Sequence, residues 1–175
     1  AFVCQPIMTF FSLISQFFFE NEIGNFMTEI VNSPYIILLL LVAVLPAITE
    51  EITIRGVVLS GYKNKNIYLS SMITGLLFGI MHLDPQQFLY ATVLGVVLAL
   101  VVRITNTIFA SSLIHFLING TSITIQKVIS LFPQSDSVME QASEISIKSL
   151  PIGEKLAMAG TYGVIALAFG IVAFF

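Results

Sequence analysis

The sequence predicts an all-α protein, a polytopic bundle of transmembrane helices. Three observations carry that prediction. Hydrophobic residues make up 57% of the 175 positions and charged residues only 10%, against about 25% charged in a soluble domain. Apolar stretches near the length that crosses a bilayer, about 20 residues, recur along the chain. Polar and helix-breaking residues are gathered between those stretches. A water-soluble fold of this length could not hide so much apolar surface. The bilayer is therefore the expected solvent, and a multi-pass position in the cell membrane the expected location.

Six segments qualify as candidate spans: 1–19, 34–60, 67–83, 86–103, 107–127 and 156–175. No repeat of fixed period occurs, so residues 1–175 read as a single domain. The breaks carry helix-boundary chemistry. Ser33-Pro34 and Asp84-Pro85 each place a capping side chain before a proline at the first helical position, with Gln87 as capping-box partner of Asp84. Residues 61–66 form a polar turn, and 103–107 end one span and cap the next. Residues 20–33 read as a loop, and 128–155 as an extramembrane loop with room for a short surface helix. Two small-xxx-small pairs, Gly75–Gly79 and Gly95–Ala99, read as helix-packing faces.

Alternation of the spans puts Lys63, Lys65 and Arg103 on one side with no acid. The acidic loops fall on the other. Short basic loops face the cytoplasm, so 61–66 and 103–107 are expected there. The net charge of -3 with scattered basic residues offers no nucleic-acid surface. The single cysteine, Cys4, permits no internal disulfide. The chain opens on Ala1 without a charged leader, and an N-terminal part of the protein is expected to lie outside it.

Against this apolar background stand Glu50, Glu51, Arg55, His82 and His115, all inside candidate spans. Each charge there costs at least ~2.5–3.5 kcal/mol near the bilayer centre. Their economical explanation is convergence on a water-accessible pocket. At about 1.5 Å per residue, Glu50, His115 and Asn119 lie about 12–18 Å from the basic ends of their spans, with His82 the outlier at about 24 Å. Glu50 and Glu51 point about 100° apart. Glu51 and Arg55, four residues apart, are placed to pair, which leaves Glu50 to face the pocket. Phe78 shares a helix face with His82, and His115 shares one with Asn119. Blander readings stand beside these: a Glu–Arg pair locking helices, a hydrogen-bonded histidine, and Asn119 as packing glue.

The strings Glu50-Glu51-Ile-Thr-Ile-Arg55, Phe78-Gly-Ile-Met-His82 and His115-Phe-Leu-Ile-Asn119 resemble the EExxxR, FxxxH and HxxxN motifs of the CAAX protease and bacteriocin-processing (Abi) family. They occur in the family's order, each on its own span, and the likeness covers about residues 40–125. The resemblance implies an intramembrane endopeptidase similar to the type II CAAX prenyl endopeptidase, on a fold of about eight spans. It implies that Glu50 and His82 activate water, that His115 and Asn119 stabilise the oxyanion, and that Glu51, Arg55 and Phe78 support the site. The expected partners are the lipid bilayer and a membrane-associated peptide or protein substrate, cut on the cytoplasmic side. The reading favours no cofactor. Zinc held by Glu50, His82 and His115 is the metal alternative, although no HExxH occurs. A catalytically silent scaffold or immunity protein that binds a partner membrane protein is the rival function.

Overall fold

The computed structural model describes residues 4–132 and 147–174, and all regular structure in them is helical. The helices are α1 (Cys4–Gln16), α2 (Glu22–Ile30), α3 (Tyr35–Leu59), α4 (Ile67–Met81), α5 (Pro85–Thr105), α6 (Ile108–Ile129) and α7 (Ile152–Phe174). A short 3-10 turn, Ile147–Ser149, precedes α7. Helices α3, α5, α6 and the Ile152–Ile171 part of α7 are long and apolar enough to cross a membrane. Among the described residues, the six expected spans thus resolve into four helices of full length, one shorter apolar helix, α4, and α1 of 13 residues. The 15 residues of α4 rise about 22 Å, short of a hydrocarbon core of about 30 Å.

Two expected loops contain helix. Helix α2 lies within 20–33, where the Asn21 side chain accepts from the Gly24 N–H at 3.0 Å. At nine residues it is too short to stand out by apolar length. In the 128–155 region α6 continues to Ile129 and α7 starts at Ile152, so both margins of that loop are helical. Residues 133–146 lie outside the described residues.

Capping follows the boundary chemistry with two differences. Asn66, Asp84 and Thr107 accept backbone N–H groups at the starts of α4, α5 and α6. Helix α3 instead starts at Tyr35, with Pro34 at its N-cap and no side-chain cap bond. Gln87 accepts the Tyr90 hydroxyl at 2.8 Å, which takes its carbonyl away from the capping-box role. Between α4 and α5 the chain reverses through Leu83, whose φ of 54° is left-handed.

Helices α4 and α5 form a close antiparallel pair. A Cβ built on Gly75 would lie 2.6 Å from the Val96 backbone N, and one on Gly95 would lie 2.8 Å from the Gly75 Cα. Gly79 faces Phe88 and Thr92 of α5 with as little room. Only glycine allows backbones this near. Helix α3 packs on α6 and, through its last turns, on α4; α1 packs on α5 and α7. At the opposite end from Leu83, Arg103 donates to the carbonyls of Tyr62, Lys63 and Lys65 at 3.3, 2.9 and 3.2 Å. The loops 61–66 and 103–107 therefore share one end of the bundle.

Helix α3 is not a uniform α-helix. Its segments Leu40–Val44 and Ile52–Leu59 are π-helical, and they flank an α-helical stretch, Leu45–Glu51. Pro46 has no N–H to offer the carbonyl four residues earlier, which belongs to Val42.

Gly75→Ala is expected to force α4 and α5 apart and lower stability by about 1–3 kcal/mol. Thermal unfolding in detergent, followed by circular dichroism, measures this. An unchanged melting temperature would show that the two backbones do not meet at Gly75.

Candidate active site

The site is assembled from the middle of α3 outward. Glu51 and Arg55 have no exposed side-chain surface and meet at 2.9 Å between Arg55 Nη1 and Glu51 Oε1, the i,i+4 pairing their spacing predicts. Arg55 then reaches two further elements. Its Nη2 donates to the Gly95 carbonyl of α5 at 3.0 Å. Its guanidinium lies 4.5 Å from the centre of the buried Phe78 ring of α4, a cation–π contact strengthened by the lack of water.

His115 of α6 completes the group. Its Nδ1 lies 3.1 Å from the same Glu51 Oε1. A carboxylate only accepts, so Nδ1 carries the proton and Nε2 is the atom turned toward Glu50, with Oε2 of Glu50 at 3.9 Å. Glu50 itself keeps 26% of its side chain exposed. The two adjacent glutamates are therefore in different surroundings, one sealed in an ion pair and one open.

His82 is the last residue before the α4–α5 turn. Its Nδ1 lies 2.8 Å from the Phe78 carbonyl. A carbonyl also only accepts, so Nδ1 donates and the neutral ring keeps its lone pair on Nε2. The Phe78 ring touches both imidazoles edge-on, at 4.9 Å to His82 and 5.8 Å to His115. Asn119, one turn beyond His115, donates from Nδ2 to the Val42 carbonyl at 3.1 Å. That is the carbonyl that Pro46 leaves without its usual donor, so the proline fixes where the amide sits. This bond was missed in the sequence, though a proline four residues after Val42 was the signal for it.

Glu50, Phe78, His82, His115 and Asn119 all line one cavity of about 650 Å³. Glu51 and Arg55 are not among its lining residues and stand behind His115. The cavity takes only the last turn of α4 and the first turns of α5, and it extends to Gln126 of α6 and to Asn21, which caps α2. It thus lies toward the α4–α5 turn, which accounts for His82, and away from 61–66 and 103–107. The lining also includes Gln86, Gln87 and Tyr90 of α5 and four polar residues of α1, which lie outside the three motifs.

A metal finds no ready cage here. Among the described residues no three His, Cys, Asp or Glu side chains are grouped to hold an ion. Both Nδ1 atoms lie at hydrogen-bond distance from an oxygen, 2.8 Å for His82 and 3.1 Å for His115, so the Nε2 atoms are the ones left to meet a water or an ion.

The family model for type II CAAX prenyl endopeptidases, Rce1-like, matches residues 32–121, just over half of the chain. The chain belongs to this family. In this Rce1-like chain the matched region runs from the start of α3 to Gly120 and Thr121 of α6, so it contains every residue of the cluster. The chain is also similar to the "Putative membrane peptidase YdiL" of Bacillus subtilis (strain 168), with 22% identity over 112 residues. That alignment covers 63% of this chain and 44% of the relative. No solved structure matches the chain.

Arg55→Met leaves Glu51 buried with only His115, and breaking a buried pair costs about 3–5 kcal/mol. Arg55→Lys is expected to recover less than half of that loss. A single ammonium cannot reach Glu51, the Gly95 carbonyl and the Phe78 face together. Chemical or thermal unfolding of both variants measures the difference, and full recovery by lysine would show that only the charge matters.

Proposed function

We propose that this protein is an intramembrane endopeptidase that hydrolyses peptide bonds of membrane-associated peptides or proteins. The observation that carries the reading is that Glu50 and His82 line the same cavity as His115 and Asn119 of α6. Glu50, aided by His82, takes a proton from water, and the oxygen attacks the scissile carbonyl carbon. Asn119 commits one N–H to Val42 and keeps the other for the oxyanion. His115, held through Nδ1 by Glu51, sets its Nε2 on the Glu50 side of the same cavity. A preorganised donor such as that Asn119 N–H acts only as the negative charge develops. Collapse of the tetrahedral species breaks the C–N bond, and the proton taken from water passes to the leaving amine. No metal takes part in these steps.

The loops 61–66 and 103–107 are taken to face the cytoplasm, which places the cavity and the cleavage toward the outer side. Lys and Arg divide evenly, with Lys63, Lys65 and Arg103 at one end and Lys127, Lys148 and Lys155 at the other. The orientation therefore rests on the shortness of the basic loops.

In vesicles, Glu50→Gln is expected to abolish peptide cleavage while helix content and melting stay near wild type. Asn119→Ala is expected to lower kcat about 10²–10³-fold with a much smaller change in KM. Equal cleavage by Glu50→Gln and wild type would remove Glu50 from the mechanism. A folded wild-type protein that cuts no membrane peptide would favour the silent, partner-binding alternative. A chelator is expected to leave the activity unchanged, and loss restored by zinc would overturn the metal-free steps. A cysteine placed at Lys63 should resist labelling by an impermeant maleimide outside the cell; ready labelling would reverse the orientation.

A further inference from the structure

Across the cavity from Glu50, α1 carries a polar pattern of its own. Gln5, Thr9, Ser12 and Gln16 follow one another at spacings of four, three and four, which puts them on one helix face. All four line the cavity. A polar seam on a helix in lipid is unfavourable unless polar groups meet it. The protein meets part of this demand itself. Gln5 Nε2 donates to the Ile118 carbonyl at 2.9 Å, and Gln86 Nε2 donates to Ser12 Oγ at 3.3 Å. Part stays open. Gln86 is 3% exposed, and its side-chain carbonyl oxygen has no donor. A buried acceptor left without a donor is costly, and this one belongs to a residue lining the cavity, beside Gln87.

The substrate has the complementary need. A peptide bond inside a helix does not present its carbonyl to an attacking water, so a membrane-embedded substrate must unwind locally. Unwinding frees N–H and C=O groups that lipid cannot satisfy. Side-chain amides both donate and accept without charge, so they match a main chain of any sequence. No lysine or arginine is among the described lining residues, so a terminal carboxylate or a phosphate headgroup meets no cation there.

We propose that the α1 seam, with Gln86 and Gln87, binds the main chain of an unwound, uncharged internal segment of the substrate. Gln86 Oε1 accepts one of its N–H groups. The inference rests on the peptidase reading for what is bound, but it is tested by binding alone. The full chain carrying Glu50→Gln is placed in phosphatidylcholine vesicles with a fluorescent apolar peptide of about 20 residues with lysine ends. A twin peptide replaces the central amide N–H groups with ester oxygens. The amide peptide is expected to bind about tenfold tighter than its twin. Adding Gln86→Met should remove most of that preference, and Gln16→Leu, at the far end of the seam, a smaller part. Equal binding of the twins by the parent protein overturns the proposal, even if a variant fails to fold. So does a preference that survives Gln86→Met, or binding lost when the peptide's C-terminus is amidated. If the Glu50→Gln protein shows the preference and the wild type never cleaves, the wall stands and the peptidase reading falls.

Discussion

One carboxylate oxygen organises this protein. Glu51 Oε1 receives Arg55 from its own helix and His115 from α6. Arg55 in turn holds the Gly95 carbonyl of α5 and covers Phe78 of α4. Four helices are thereby tied to a single buried charge. Replacing either member by an apolar side chain strands the other in a region without water, so the relative placement of the helices is specified by electrostatics as well as by shape. The missing Cβ of Gly95 belongs to the same arrangement, because the close approach of α4 brings Phe78 to that carbonyl.

The sealed glutamate frees its neighbour. Successive residues on a helix diverge by about 100°, so the chain can bury Glu51 and leave Glu50 at the cavity with no change of element. The bundle is divided in the same way. The side made by α3 through α6 is tight and cross-linked by polar contacts. The side made by α1, α2 and α7 is looser, and among the described residues of α7 only Ala166 is buried. The cavity lies between the cross-linked wall, which holds Glu50, His82, His115 and Asn119, and the looser one.

What could be read from the sequence were the features that follow from fixed helical spacing. The Glu51–Arg55 pair and the small-residue faces of α4 and α5 follow from positions four residues apart, and the separate surroundings of Glu50 and Glu51 from adjacent positions about 100° apart. Features that depend on contacts distant in sequence could not be read. The π-helical turns of α3 change its local pitch without any composition signal, and Asn119 finds Val42 only once α6 lies against α3. Helix α2 escaped because nine residues are too few to register as apolar length. Gln87 followed the capping pattern, but its carbonyl found Tyr90 one turn away. The seam on α1 was present as spacing, yet only the cavity beside it gives the spacing a meaning.

The turn at Leu83 has a consequence for how this protein tolerates change. A leucine held in a left-handed conformation costs about 1–3 kcal/mol, and a glycine there would remove most of that cost. Its side chain is 89% exposed, so no core packing offsets the strain. Yet this residue ends α4 directly after His82 and delivers the chain to Asp84, which is extended before Pro85. The strain is spent on aiming an imidazole. Stability and activity therefore pull in opposite directions at Leu83, and selection for a hardier protein would act here against the geometry of the histidine beside it.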